Sequence, residues 1–267
     1  MEEVKYSDYY NELKQDPNLL SHWFPAIKEC GIHVPETEVI PVPEHVTQAF
    51  FMDNMDKDRE TVYNWVNEAV MPVVTNFPYH FNTPLLFMKN GCFSNKFDAR
   101  NCFVNRDAHE ITHKLISINY DALCFGAGGI TDLVFRQFIP HVTEKTPCIY
   151  HGLPLRPEFR VFYNFDEHRV LYSVNYWDWD YCHDAISRDA TDRIVYEDIY
   201  PELSRQFDCR HKDVEDMVQE HLQSVTVLSG RWSVDILLDE SDTYWLIDMA
   251  IAEQSAYWNQ NSSISTL

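Results

Sequence analysis

Glycine, basic residues and long apolar runs are all scarce in this chain of 267 residues. Because there are only 7 glycines, a long glycine-rich loop that wraps phosphates is not expected. Lys and Arg number 21 against 42 Asp and Glu, which gives a formal net charge of -21. Such a surface repels phosphate backbones and anionic lipids and argues against nucleic-acid or membrane-surface binding. No apolar run approaches the roughly 20 residues that span a bilayer.

The cysteines do not form a recognisable framework. There are 7, an odd number, widely scattered and without a C-x-x-C pair. This usage suits a reducing compartment better than a disulfide scaffold or a zinc knuckle. The first residues, MEEVKYSDYYNELKQD, are acidic and polar, unlike a signal peptide. A cytoplasmic protein is therefore predicted.

Hydrophobic spacing predicts an α+β protein with a helical front end and antiparallel strands. Residues 1–80 are expected to be mostly helical, with Val62, Trp65, Val66 and Ala69 on one buried stripe. Further helices are predicted over 109–123 and 211–225, and strands over 84–90 and 131–139. Two hairpins are predicted, 155–165 with 168–179 and 231–239 with 243–251.

Two aspartates stand in the middle of the last predicted hairpin. Asp235 lies in SVDILL and Asp248 in WLIDMA, each surrounded by apolar residues. A buried acid is costly unless it is paired or bound to a cation, so two acids on neighbouring strands could share one hard metal ion. The competing interpretation is that each is an acid at a strand end that reaches solvent or an arginine.

Three basic residues could serve phosphates. Lys89 ends an apolar strand, Lys96 follows in the polar loop SNKFDA, and Arg160 lies among apolar residues in PEFRVF. Each alone is more often a surface residue whose stem covers apolar neighbours. Together with two metal-ready aspartates, they form a complete set for binding a metal–phosphate complex.

The order of these motifs resembles the ATP-grasp superfamily over residues 84–258. FMKNGCFSNKFDA resembles its strand lysine and lysine loop, LVFRQFI its adenine hinge, PEFRVF its E-F-R strand and SVDILLD…YWLIDMA its metal hairpin. Within the superfamily, the motifs resemble the branch of the eukaryotic cell-division-cycle protein that helps assemble an initiation factor, and related phage and bacterial proteins. The resemblance implies two lobes whose antiparallel sheets enclose a nucleotide cleft. Three regions are predicted, 1–80 helical, 81–140 as N-lobe and 141–267 as C-lobe.

The resemblance also implies a role for each matching residue. ATP phosphates would contact Lys89 and Lys96, and Arg160 would meet the γ-phosphate or an acyl phosphate. The adenine would lie against Gln137, Phe138 and Ile139, with backbone groups at 137 and 139 at its edge. Magnesium would be held by Asp235 and Asp248.

The implied function is an ATP- and Mg-dependent ligase, with Lys96 and Arg160 catalytic. It would activate a small-molecule or peptide carboxylate as an acyl phosphate for attack by an amine. Ala250 departs from the family, which often has Asn there; Glu253 or Gln254 could substitute, water could fill the place, or only one metal could bind well. The alternative is an ATP-binding protein-assembly factor without ligase activity, with a protein partner.

Two other motifs give competing hypotheses. His109-Glu110-x-x-His113 matches the zinc-peptidase helix motif, but charged flanks and the lack of a clear third ligand favour a solvent-facing stripe. In YWDWDYCHD, Trp177, Trp179 and Tyr181 alternate with polar residues. This cluster is either a half-buried strand end or a wall of the substrate site.

Overall fold

The computed structural model describes residues 6–51, 54–78, 85–127, 129–139 and 146–259. The chain divides into two compact units, one of residues 1–22 and 36–140, the other of residues 23–35 and 141–267. Most of the predicted helical front end thus belongs to the same unit as the predicted N-lobe. The segment 23–35 belongs instead to the unit of the C-terminal hairpins.

The first unit contains a four-stranded antiparallel sheet in the order β1-β4-β2-β3. Its strands are β1 (Thr37–Pro41), β2 (Leu86–Asn90), β3 (Phe103–Val104) and β4 (Asp132–Gln137). Its helices are α1 (Tyr6–Leu13), α3 (Glu44–Ala49), α4 (Met55–Trp65), α5 (Met71–Asn76) and α6 (Ala108–Cys124), and α2 (Leu20–Glu29) begins in it. One face of the sheet carries Leu86, Met88, Leu133 and Phe135 into an apolar core shared with α4 and α6.

A π-helical turn, Val66–Val70, joins α4 to α5. This wider turn moves the buried stripe along by one residue, so that Val70 is buried and Ala69 is exposed. The predicted stripe was therefore correct through Val66 and wrong at Ala69. Helix α6 follows ordinary spacing: the Asp107 carboxylate accepts from the Glu110 N–H, and Ile111, Leu115 and Ile118 lie on its buried side.

The second unit is built on a four-stranded antiparallel sheet in the order β10-β9-β7-β8. Its elements are β5 (Cys148–Ile149), β6 (Leu153–Pro154), β7 (Glu158–Asn164), β8 (Arg169–Asn175), α7 (Trp179–Ile186), α8 (Ala190–Leu222), β9 (Arg231–Leu238) and β10 (Tyr244–Ile251). Helix α8 packs against β7 and β8. Polar contacts fix it there, since the Gln219 side chain accepts from the Val170 N–H at 2.8 Å and donates to the His168 carbonyl at 2.8 Å.

Helix α8 is longer than the predicted segment 211–225 and ends three residues earlier. It begins where the Asp189 carboxylate accepts from the Thr191 and Asp192 N–H groups. Pro201 lies inside it. Both C-terminal hairpins are present, but residue 179 starts α7 and does not continue β8. No helix in the described ranges is long and apolar enough to cross a membrane.

Candidate functional site

Arg160, Asp235 and Asp248 lie side by side in one row across β7, β9 and β10. Arg160 is the register partner of Asp235, and Asp235 is the register partner of Asp248. Directly opposed residues of antiparallel strands point to the same face of a sheet. The three charged side chains predicted from separate motifs are therefore neighbours on one surface of the second unit.

A β-bulge brings Asp248 to this face. The pairing of Leu246 with Ile236 is followed by the pairing of Asp248 with Asp235, so Ile247 is the extra residue. In an unbroken register Ile247 would stand opposite Asp235, and Asp248 would point to the other face. The pairing of the two carboxylates thus depends on one inserted residue.

Arg160 and Asp235 form a bidentate ion pair. Nε and Nη2 of Arg160 lie 2.7 Å from Oδ1 and Oδ2 of Asp235 respectively. The two side chains are only 11% and 10% exposed. Burial alone would lower the pKa of Arg160, but the charge and hydrogen bonds of Asp235, with smaller effects of Tyr257 and Asp248, raise it overall.

Two further groups surround the guanidinium. The ring of Tyr176 faces it, with its centroid 4.8 Å from Cζ, and the Ala256 carbonyl accepts from Nη1 at 3.4 Å. Neither contact was expected from the sequence. The nearest signal was the aromatic cluster that begins at Tyr176, because an aromatic ring can stack on a buried arginine.

The chain after β10 crosses this face as a short aromatic segment, residues 255–259, here called the C-terminal segment. The Tyr257 hydroxyl donates to the Tyr176 carbonyl at 2.7 Å, and the Tyr172 hydroxyl donates to the Tyr257 carbonyl at 3.1 Å. The Trp258 ring lies 5.3 Å from that of Phe162. These contacts tie the segment to β7, β8 and the residues that surround Arg160.

The aspartate pair fits a magnesium ion in the kind and number of its oxygen donors. Magnesium is commonly held by one or two carboxylates, with phosphate oxygens and water completing its octahedron. In the parts of the chain that the structure describes, no group of three or more His, Cys, Asp or Glu side chains could hold a metal. A metal at Asp235 and Asp248 would therefore depend on oxygen ligands from elsewhere.

Ala250 lies opposite Ser233, one row along the same face. The Ser233 hydroxyl bonds to the Ala250 carbonyl at 3.3 Å and to the Ser255 hydroxyl at 2.7 Å. Glu253, one of the residues considered as a substitute for the missing Asn, is paired with Arg231 at 2.6 Å. Gln254, the other, is exposed.

In the first unit, Lys89 is 1% exposed at the end of β2, opposite Val134. Lys96 is half-buried and starts a short 3₁₀ helix, Lys96–Asn101. The turn before it is formed by Asn95, whose φ is 46° and whose side chain donates to the Asp121 carboxylate at 2.8 Å. An asparagine tolerates this left-handed conformation better than most residues.

The predicted adenine hinge lies at the end of β4. Gln137 and Ile139 are buried and Phe138 is half-buried against the Phe103 ring, at 5.0 Å. The Gln137 N–H donates to the Glu36 carbonyl at 2.8 Å and its side chain accepts from the Glu36 N–H at 3.2 Å. The N–H of residue 137 is therefore engaged within the protein and is not available to bind a base.

The zinc-peptidase motif lies on the exposed side of α6. His109 stacks on Tyr63 at 4.5 Å, and His113 is exposed. The Glu110 carboxylate accepts from Lys114 at 2.7 Å and from Asn105 at 3.0 Å. A general base must be able to receive a proton from water, and this carboxylate is held by a cation whose bonds lower its pKa against the opposing effect of burial.

The aromatic cluster YWDWDYCHD is a strand-to-helix junction. Asp178 caps α7 by accepting from the Tyr181 N–H. Trp177 and Trp179 pack with Tyr196 in a second apolar core, whereas Tyr176 contacts Arg160. The strand-end interpretation was thus wrong from residue 179 onward.

Together these helices and antiparallel sheets form an ATP-grasp fold, as the sequence predicted. The solved structures that are similar over most of the chain include two of Cdc123 from Schizosaccharomyces pombe. The first has a TM-score of 0.51 and 16% identity, covering 91% of this chain and 85% of that chain. The second, C-terminally truncated, has a TM-score of 0.52 and 15% identity, covering 96% and 92%. No protein-family model and no curated protein matches the sequence.

Proposed function

We propose that this protein is an ATP- and magnesium-dependent ligase of the ATP-grasp type. It would phosphorylate a carboxylate, and an amine or similar nucleophile would then displace the phosphate. The observation that carries the proposal is the row formed by Arg160, Asp235 and Asp248 on one face of one sheet. A fixed cation beside two carboxylates is the arrangement that a metal-bound triphosphate requires.

Each member of the row has a separate task. Asp235 and Asp248 would hold the metal, which when bound neutralises phosphate charge and polarises the phosphoryl group. The planar guanidinium of Arg160 would donate two parallel hydrogen bonds to phosphate oxygens. Its buried surroundings strengthen such bonds, because water competes less for the charges.

Five other residues are proposed to contribute, on the basis of the family resemblance and of their positions. Lys89 and Lys96 would contact the phosphates; a lysine as buried as Lys89 is well matched to anionic oxygens. Phe138 and Ile139 would line the adenine, with the Gln137 carbonyl as an acceptor at its edge. The acceptors would be small-molecule or peptide carboxylates and amines.

The first test is replacement of Asp248 by asparagine, which keeps the size and removes the charge. Loss of a metal ligand worth several kcal/mol should reduce ATP turnover by roughly 100-fold or more. ADP formed from ATP with candidate acids and amines is measured by mass spectrometry. Asp242→Asn is the matched control, because Asp242 is an exposed turn residue of the same hairpin with a positive φ that asparagine tolerates.

Unchanged turnover in a folded Asp248→Asn protein would refute the metal assignment. ATP binding, measured by calorimetry, is scored separately from turnover. Tight binding of Mg·ATP without ADP formation in any acceptor mixture would favour the second hypothesis, an ATP-binding assembly factor that acts on a protein partner.

A further inference from the structure

Both carboxylate oxygens of Asp235 are already engaged by one cation of the protein. The Arg160 guanidinium binds them through two parallel hydrogen bonds of 2.7 Å, and each side chain is about nine-tenths buried. A metal ion that uses Asp235 as a ligand must therefore share these oxygens with the guanidinium or displace it from one of them.

Arg160 is also a competitor that cannot be removed by deprotonation. An arginine guanidinium stays charged at any physiological pH, so only another anion can take the place of Asp235 beside it. The Tyr176 ring and the Ala256 carbonyl hold it against the same face. Arg160 is therefore held beside Asp235 by contacts other than the ion pair itself.

We propose that Arg160 acts as an exchangeable counter-ion that makes the metal site selective for the nucleotide-bound metal over the free ion. The inference rests on the proposed function and deepens it. A free divalent ion binds weakly, because it competes with the guanidinium for one buried carboxylate and stands beside a second cation. The metal–triphosphate complex binds tightly, because its phosphate oxygens give Arg160 a new anionic partner as the metal takes Asp235.

The charges involved make the difference in affinity between the free metal ion and the metal–triphosphate complex large. Breaking a buried ion pair by taking away one partner is strongly destabilising, since the other charge is left uncompensated. Free Mg²⁺ draws the Asp235 carboxylate away from Arg160 and leaves the guanidinium short of an anionic partner, whereas a triphosphate supplies one. The same exchange keeps the Asp235 carboxylate compensated whenever no metal is bound.

The proposal is tested by titrating Mn²⁺, a paramagnetic substitute for Mg²⁺, without nucleotide. Free Mn²⁺ is followed by electron paramagnetic resonance in the wild type and in Arg160→Gln. The variant should bind Mn²⁺ at least roughly tenfold more tightly, because Asp235 is then free of its counter-ion. In Arg160→Gln combined with Asp235→Asn the gain should disappear.

Arg231→Gln is the matched control. Arg231 lies on the same strand and the same face as Asp235, two rows away, and pairs with Glu253 at 2.6 Å while covering the Trp258 ring. It removes the same charge without touching Asp235, so Mn²⁺ affinity should change by less than about twofold. Equal gains in Arg160→Gln and Arg231→Gln would show a general charge effect and refute the exchange.

Folding is checked by thermal unfolding of each variant. Mn²⁺ should raise the melting temperature of Arg160→Gln more than that of the wild type. If Arg160→Gln does not fold, Arg160→Lys serves in its place, because lysine keeps the charge but cannot form the planar two-bond pair; it should bind Mn²⁺ more tightly than wild type.

The exchange is refuted when the folded variant binds Mn²⁺ no more tightly than wild type. That failure is distinct from failure of the proposed function. If the wild type binds a non-hydrolysable ATP analogue with Mn²⁺ while Arg160→Gln gains no affinity for free Mn²⁺, that combination contradicts only the exchange. A protein that binds no ATP analogue contradicts the proposed function itself.

Discussion

At the scale of residues, two arginines meet the cost of burial in different ways. Arg160 is matched to a carboxylate, whereas Arg106 is matched to backbone oxygens. The Arg106 Nη1 lies 2.9, 3.1 and 2.6 Å from the carbonyl oxygens of Val74, Thr75 and Phe77, and Nη2 lies 3.3 Å from that of Pro78. The last carbonyls of a helix have no partner within it, so Arg106 completes the C-terminal end of α5.

Replacing Arg106 by glutamine should therefore destabilise the protein. Several carbonyl groups lose a charged donor at once, and we expect the free energy of unfolding to fall by about 1–3 kcal/mol. Urea denaturation followed by circular dichroism measures the change. Arg100→Gln is the control, because Arg100 is mostly exposed and bonds to its near neighbour Asp98; an equal fall in both variants would contradict the capping role.

The residues of the candidate site were predictable to different degrees. Asp235 and Asp248 could be selected from the sequence because acids inside apolar strands are unusual. The contact of Tyr176 with Arg160 could not be predicted, since it joins β7 to the residue that follows β8 and depends on where β8 ends. The engagement of Asp235 by Arg160 was foreseen only as the general alternative of an acid reaching an arginine.

At the scale of elements, the C-terminal segment is the least regular part of the described site. It has little secondary structure of its own after residue 254, and Tyr257 adopts a φ of 68°. Its place is fixed by side-chain contacts, chiefly those of Tyr257 and Trp258. A non-glycine residue keeps such a backbone angle only where neighbouring contacts fix it.

Tyr257→Phe should loosen this segment. The change removes a hydroxyl that donates to the Tyr176 carbonyl at 2.7 Å and lies 3.3 Å from the Cys182 sulfur. A net loss of about 0.5–1.5 kcal/mol is expected for the hydrogen bond, together with faster hydrogen exchange over residues 255–259. Tyr181→Phe is the control, because Tyr181 is 56% exposed and its ring lies tilted against the Tyr257 ring. Equal exchange rates in all three proteins would refute the anchoring role.

Hairpins were easier to predict than the long helix. The alternating apolar residues and short polar turns fix β7–β8 and β9–β10 locally. Helix α8 contains Pro201 and exposed charges, and its buried residues are spread over 33 positions, so the local pattern was clear only in its second half. Packing against β7 and β8 stabilises the rest, and that contact is not visible in a local window.

At the scale of the whole molecule, the buried tyrosines are expected to make the folded state less stable at alkaline pH. Burial raises the pKa of Tyr163 to about 12, and burial with the nearby Cys182 and Asp192 raises that of Tyr150 to about 12. Burial also raises the pKa values of Tyr6, Tyr196 and Tyr257. The folded protein therefore holds phenolic protons that the unfolded chain releases near pH 10.

Stability should consequently fall as the pH rises above about 10. The native state binds more protons than the unfolded state between the two sets of pKa values, so the free energy of unfolding decreases with pH there. The stabilisation is complete below about pH 10 and is lost through the folded pKa values near 12. Urea midpoints measured from pH 8 to 12, with phenolate absorbance at each pH, check this; native phenolate absorbance that rises fully near pH 10 would contradict it.

The overall class of the fold was predictable, but the membership of its two units was not. Motif order gave the ATP-grasp fold, and periodicity gave the antiparallel strands. That residues 23–35 join the second unit depends on contacts such as the Leu246 N–H with the His33 carbonyl at 2.9 Å, far apart in sequence. Such pairings leave no local pattern in the sequence, because the two residues lie far apart in the chain and meet only in the folded unit.

The extra residue at Ile247 determines which sequence changes would keep the two aspartates together. Because side chains alternate along a strand, the meeting of Asp235 and Asp248 depends on the register of β9 with β10. Conservative substitutions between Leu238 and Tyr244 preserve that register, whereas a single residue inserted within a strand that shifts it by one separates the two carboxylates. An insertion that only lengthens the turn at 239–243 leaves this pairing intact, so the hairpin tolerates added length at its turn but not a one-residue shift within its strands.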